Sequence, residues 1–313
     1  GGDVYSDRAK DRIRQLCQCP DAMVEFLIGG TQTNVTACAF LTKPWEAVIS
    51  PATGHLNGHE VGAFEATGHK IIPVEVGPDG KLTPEMLPAV LEWHKDPHLT
   101  RPALVYISNA TENGTVYTKA ELTALHDVCT RCGLYLFIDG ARLGYGLTAP
   151  ENDVTLADLC ALSDVFYIGG TKVGALFGEA VVITNPALKT DFRYHIKQRG
   201  GMLAKGRLLG IQFDELFTDD LYFKISEKAV RQAKRIAKAC EDAGCAFFAP
   251  SPTNQQFPIF PDTALEKLAE KYKYSYWARV DETHSAVRLC TSWATTDENV
   301  DALCKDIASA MAE

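Results

Sequence analysis

Nowhere in these 313 residues does an apolar run approach the roughly 20 residues that a membrane-spanning helix needs, which excludes a bilayer protein of that kind. Positive charge is also short: 31 Lys and Arg stand against 40 Asp and Glu, a formal net charge of −9. That balance excludes a general nucleic-acid surface, which requires a basic field. No GxGxxG opens a helix after an early strand, so the usual dinucleotide-binding fingerprint is missing. Cys129-Thr-Arg-Cys132 is a CxxC with no second CxxC and no paired histidines, so no metal site is expected. Internal repeats and low-complexity stretches are absent, and GGDVYSDRAKDRIRQ lacks the apolar centre of a signal peptide. These absences point to a cytoplasmic protein with no membrane and no nucleic-acid partner.

What is present is ordinary globular composition, 46% hydrophobic and 23% charged, in a length that suits about two domains. The ten cysteines are scattered and sit mostly in apolar surroundings, as reduced thiols do. From about residue 30 to 185, apolar β-runs alternate with helical stretches: AVIS (47–50), KIIPVEV (70–76), ALVYIS (103–108), LYLFID (134–139), VFYIGG (165–170) and AVVIT (180–184). Several are apolar throughout, as strands are when a mostly parallel sheet is covered on both faces. Thr118-Lys-Ala-Glu121 reads as a capping box, and Thr83-Pro84-Glu85 as a cap before a first-turn proline. After about 215 the pattern becomes α+β, with a long helix over roughly 222–243 whose Lys228, Arg231, Arg235 and Lys238 form a solvated outer face. The expected division is therefore a large α/β unit over 1–215 and a small α+β unit over 216–313. Ligands are expected beyond the carboxyl ends of the strands.

Four features suit a phosphate-bearing aromatic aldehyde. Gly29-Gly30-Thr31-Gln32-Thr33-Asn34 precedes a helical stretch, where free N–H groups and the positive dipole end favour a phosphate, although the same residues also make a turn and a cap. Asp139 ends the apolar strand LYLFID; its burial needs a cation, which a protonated pyridine nitrogen provides, while an N-cap in a βα turn is the plainer use. Lys172 follows Thr171 just past the strand VFYIGG, among glycines and apolar residues, where desolvation would lower its pKa toward Schiff-base chemistry. Thr171 could hydrogen-bond a phosphate. His55, after AVIS, could stack on a ring.

In this order the features resemble the threonine aldolase and β-eliminating lyase family of fold-type-I pyridoxal-phosphate enzymes. GGTQTN, GHLNGHEVGAFEATGHK, DGARLGYG, the GGTK lysine and VRLCTSWATT all look like motifs of that family. The resemblance implies the aspartate-aminotransferase fold and pyridoxal 5′-phosphate as cofactor, with Lys172 as the Schiff-base lysine and Asp139 as partner of the ring nitrogen. It further implies His55 stacking on the cofactor, Gly30, Thr31 and Gln32 on the phosphate, Arg142 near the 3′-oxygen or the substrate carboxylate, and Arg288 clamping that carboxylate. The stretch KQRGGMLAKGRLLG looks like the family's Gly-rich segment near the subunit interface, which would bring Lys205 or Arg207 to a phosphate across a homodimer or homotetramer. The expected reaction is retro-aldol cleavage of a small β-hydroxy-α-amino acid to glycine and an aldehyde. β-Elimination, transamination, or a non-catalytic regulatory module on the same fold are the alternatives. One position departs from the pattern: Glu112 stands before Asn113-Gly114, where many threonine aldolases carry a histidine that contacts the β-hydroxyl. Glu112 is thus a candidate base, with His59 and Glu60 as further polar candidates.

Overall fold

A computed structural model of the chain describes residues 2–312. Its large sheet holds seven strands: β1 (Met23–Leu27), β2 (Glu46–Pro51), β3 (Lys70–Val74), β4 (Arg101–Ser108), β5 (Tyr135–Asp139), β6 (Val165–Gly169) and β7 (Glu179–Ile183). Their spatial order is β1-β7-β6-β5-β4-β2-β3. The run from β3 to β6 is parallel, and β7 is antiparallel to both β6 and β1. Six strands coincide with the apolar runs read above. The seventh, MVEFL, went unread because a short edge strand carrying a glutamate gives little periodic signal.

Side chains alternate faces along a strand, and here alternate residues feed two separate cores. Ile107, Ile138, Phe166 and Val182 pack on one face, and Tyr106, Phe137, Tyr167 and Val181 on the other. Asp139 lies two residues beyond Phe137, so it belongs to the face that the helix Gly30–Leu41 covers. The helix Lys119–Cys132 opens with the predicted capping box, Thr118 and Glu121 each bonding the other's backbone N–H. Thr83-Pro84-Glu85 instead starts a 3₁₀ turn, Pro84–Met86, that runs into the helix Leu87–Trp93. The helix Arg207–Leu216 packs on the N-terminal helix Val4–Leu16, where Asp214 takes ion pairs from Arg8 and Arg12.

The strands of the second sheet all follow residue 245: β8 (Ala246–Phe247), β9 (Gln255–Gln256), β10 (Pro258–Pro261), β11 (Ser275–Arg279) and β12 (His284–Cys290). They pair antiparallel in the order β11-β12-β10-β8, with β9 on β12. A third core, including Phe260, Leu265, Val287 and Ile307, lies between this sheet and its helices. The helix Leu221–Asp242 ties the two units together: Ala229 and Val230 pack into the large unit, and Ile236 and Cys240 into the small one. No helix among the described residues is long and apolar enough to cross a membrane, and all ten cysteines are free thiols.

Gly140 is where β5 leaves the sheet, and its carbonyl accepts from the Gly169 N–H at 3.0 Å. A Cβ at this position would stand 1.7 Å from the Tyr167 carbonyl oxygen. That neighbour is backbone and cannot swing aside. Gly140→Ala is therefore expected to lower stability by at least ~2 kcal/mol, read as a fall in melting temperature of the purified chain; an unchanged melting curve would refute this packing.

Candidate active site

The carboxyl ends of β4, β5 and β6 open into a cleft of about 280 Å³, closed on one side by the start of the helix Gly30–Leu41. Asp139 is 3% exposed at its floor. Its Oδ1 accepts from the Tyr167 hydroxyl at 2.6 Å and the Ala141 N–H at 2.9 Å. Its Oδ2 accepts from the Tyr106 hydroxyl at 2.6 Å and the Asn34 amide at 2.9 Å. Burial works against the charged carboxylate, but these four donors outweigh it and hold the group below its usual pKa. Burial and the charge on Asp139 in turn push both phenols far above the ordinary tyrosine range, so they remain proton donors.

Lys172 follows β6, in a segment pinned when the Tyr145 hydroxyl donates to the Lys172 carbonyl. Its ammonium has no hydrogen-bond or ion-pair partner among the described residues. Burial, with Arg142 beside it, pushes the amine down to about 8, against the pull of Asp139, Glu179 and Glu112. At pH 7 roughly a tenth of it is therefore an unprotonated nucleophile, far more than an ordinary lysine offers. The Arg142 guanidinium likewise has no hydrogen-bond partner among the described residues, although it lines the cleft.

His55 begins the short helix His55–Gly58 after β2, and its Nδ1 lies 2.9 Å from Glu60 Oε1. That bond, stronger than the opposing burial, raises the imidazole pKa. Glu112 Oε1 accepts from the Ser108 hydroxyl at 2.7 Å and from the His55 backbone N–H at 2.9 Å. Burial pushes the Glu112 carboxyl up. Gly30 and Thr31 line the cleft in the first turn of a helix whose N-cap, Gly29, uses no side chain for capping.

Lys172, Asp139, His55, Glu112, Gly30, Thr31, Arg142 and Thr171 thus share one cleft. Four expected residues do not line it. Gln32 spends its side chain elsewhere, donating to the Arg199 carbonyl at 3.1 Å and accepting from the Ile28 N–H at 3.2 Å. Arg288, on β12, makes 3.4 Å contacts to Gln255 and Ser275 and packs over Trp277, within electrostatic range of Arg142 and His59. Lys205 and Arg207 are exposed and lie outside the cleft.

Sequence reasoning missed Asn34, Tyr106, Tyr167 and Glu179. The period of two could have found both tyrosines, since each shares a face with Phe137 and therefore with Asp139. Glu179 at the start of β7 is 3% exposed; its Oε1 accepts from the Thr171 hydroxyl at 2.9 Å, and its Oε2 is enclosed without a partner. Thr171, expected to face a phosphate, thus donates to a carboxyl group. Burial, only partly offset by that bond and by Lys172, pushes Glu179 up to about 8.

Likenesses to known proteins bear on this cleft. A family model described as beta-eliminating lyase matches residues 1–263. The low-specificity L-threonine aldolase of Pseudomonas aeruginosa is 32% identical, the match covering 99% of this chain and 89% of the relative. A solved threonine aldolase from Leishmania major is 43% identical with a TM-score of 0.97, covering 99% of this chain and 90% of that one. A serine palmitoyltransferase from Sphingomonas wittichii, 15% identical, has a TM-score of 0.75 over 99% of this chain and 77% of its own, and so shares the fold.

Glu179 generates a pH prediction. Its folded pKa, about 8, lies above the unfolded value of ~4.3. The folded state therefore resists ionisation across that window, and stability falls as pH rises through it. Glu179→Gln, always neutral, should match the parent at pH 4 and gain on it as pH rises, by at most ~1.4 kcal/mol per pH unit, levelling off above about pH 8. Urea melts of both chains at several pH values measure this; a difference flat with pH means the carboxyl titrates normally.

Proposed function

This chain belongs to the beta-eliminating lyase family, and on that footing we propose a pyridoxal-phosphate-dependent aldehyde-lyase. In this reading it cleaves a small β-hydroxy-α-amino acid to glycine and an aldehyde, as a low-specificity threonine aldolase. The observation that carries the reading is the pairing, in one cleft, of an unpartnered amine lowered to about 8 with a carboxylate held ionised by four donors. Relatives of 32% and 43% identity that bear the threonine aldolase name support it.

The residues present fit the cofactor. Asp139 is an acceptor for a protonated ring nitrogen, His55 offers a ring face, and Gly30 and Thr31 lie at a helix start with no capping side chain of its own. A side chain at Gly30 would come within 3.3 Å of the Tyr167 hydroxyl, so glycine keeps that wall open. Lys172 would hold the aldehyde carbon. When bound, the cofactor supplies a carbonyl for amino groups and a ring that accepts the electrons of a breaking Cα bond.

The remaining steps fall to the chain's own side chains. Arg142, lacking a protein partner, receives the substrate carboxylate, and Arg288 adds a second positive charge from the small unit. Glu112, made more basic by burial, takes the proton of the β-hydroxyl. Lys172 serves as the base if a Cα proton must leave instead. Homo-oligomerisation belongs to the same reading: Leu176 and Trp293, 84% and 51% exposed near the lysine segment, and Leu208 and Ile211 on the adjoining helix await cover. The free thiols favour a reducing compartment such as the cytoplasm.

Mixed with pyridoxal phosphate, the parent chain should develop a visible absorbance band that Lys172→Ala lacks; a band persisting in the mutant would remove Lys172 from its role. Products from L-threonine, L-allo-threonine, L-phenylserine and L-serine then decide the chemistry. Glycine with the matching aldehyde is expected, whereas a keto acid would move the reaction to elimination or transamination. For Glu112→Gln, turnover per bound cofactor should fall by about 10²-fold or more with cofactor affinity little changed. Lost cofactor with unchanged turnover would rule Glu112 out as the base.

A further inference from the structure

Glu60 has no part in the chemistry assigned so far, and Asn34 only its bond to Asp139, yet both are buried against the site. Glu60 is 4% exposed and Asn34 fully enclosed. The Asn34 amide nitrogen donates to Glu60 Oε1 at 2.7 Å and to Asp139 Oδ2 at 2.9 Å. The same Glu60 oxygen lies 2.9 Å from His55 Nδ1. One continuous path therefore runs His55–Glu60–Asn34–Asp139. Glu60 Oε2 and Asn34 Oδ1 are both enclosed without partners.

A buried carboxylate is costly unless donors or a cation offset it. Glu60 has just two neighbours of that kind along this path, the Asn34 amide and the His55 ring. An imidazole nitrogen that meets a carboxylate oxygen at hydrogen-bond distance must carry the proton, because the carboxylate only accepts. The bond thus selects the Nδ1–H form and leaves Nε2 and the ring face to the cleft.

We propose that Glu60 is a positioning residue that fixes the tautomer, tilt and charge of His55 and, through Asn34, ties that ring to Asp139. The two groups expected on the face and at the nitrogen of the cofactor ring are then set by one hydrogen-bonded unit rather than by independent loops. The inference about His55 stands on the cleft alone; its meaning for the cofactor rests on the function proposed above.

The charge around His55 comes from several elements. Glu60 and His59 lie on its own segment, Asp139 on β5, Lys172 after β6, and Glu112 accepts its backbone N–H. Of these, Glu60 makes the only direct bond to the ring among the described residues, so removing its charge should dominate.

The test is histidine ¹⁵N NMR of the full chain, first free of pyridoxal phosphate and then loaded, with His55 assigned by its loss in His55→Asn. In the parent at high pH, Nδ1 should be the protonated nitrogen. In Glu60→Gln the proton affinity of His55 should fall about tenfold, and affinity for pyridoxal phosphate should weaken. An Nε2–H form in the parent, or a fall of less than about threefold in the variant, would overturn the proposal; the first readout needs no Glu60 variant and survives a Glu60→Gln chain that fails to fold. If His55 responds as expected but no visible band forms with pyridoxal phosphate, the positioning holds and the cofactor reading fails.

Discussion

A carboxylate buried at 3% exposure, kept charged by four hydrogen bonds, is the constraint on which the rest of this molecule depends. Burying such a group without partners would cost several kcal/mol. Its donors come from four separate elements: the helix Gly30–Leu41, β4, the turn after β5, and β6. Each must arrive in register. Ser108 pairs with Asp139 across β4 and β5, which puts Tyr106 beside Phe137 on the same face. Tyr167 reaches the carboxylate from β6 beyond the same phenylalanine ring. The sheet's register and the site's chemistry are therefore one specification. The tight turn at Gly140 follows from it, because Tyr167 must come close on the far side.

The cleft's electrostatics are a contest between burial and neighbours. Four carboxyl groups, those of Asp139, Glu60, Glu112 and Glu179, lie within it or against it, facing Lys172, Arg142 and the His55 ring. Acids in such number would ordinarily hold a lysine fully protonated. Burial and Arg142 overcome them, and Lys172 ends lowered. Glu179 pulls the other way, and burial pushes its own carboxyl up to about 8. What lacks a direct partner is positive: Arg142 has no ion pair among the described residues, and the helix at Gly30 has no acidic or capping side chain in its first turn. A ligand carrying a carboxylate and a phosphate answers both.

The large sheet was legible because β2 and β4 to β7 are buried on both faces and announce themselves as nearly unbroken apolar runs. β1 was not, since an edge strand gives a weak signal. Asp139 and Lys172 stood out as charges where charge is costly, and His55 and Arg142 followed by their company and by the family resemblance. Asn34, Tyr106 and Tyr167 gave no such signal, because amides and phenols inside a sheet protein usually serve packing. The period of two puts both tyrosines on the Asp139 face, but that they and Asn34 donate to its carboxylate is visible only in three dimensions. Gln32 shows the converse: it sits in a motif that reads as phosphate-binding, but one step along a helix turns a side chain by about 100°, and here that turn aims it at the Arg199 carbonyl.

Glu112 is the position where this chain leaves the pattern it otherwise follows, and its bonds suggest what the change does. A carboxylate oxygen accepts two hydrogen bonds at once, here from Ser108 and from the backbone of His55. A neutral histidine has a single acceptor nitrogen and could take only one of them. With glutamate, the loop after β4 is fastened directly to the segment that carries His55. The group that would receive a substrate proton and the group that would hold the cofactor face are then mechanically joined. Glu112 fixes the backbone of His55 while Glu60 fixes its ring, so the imidazole is restrained from both ends.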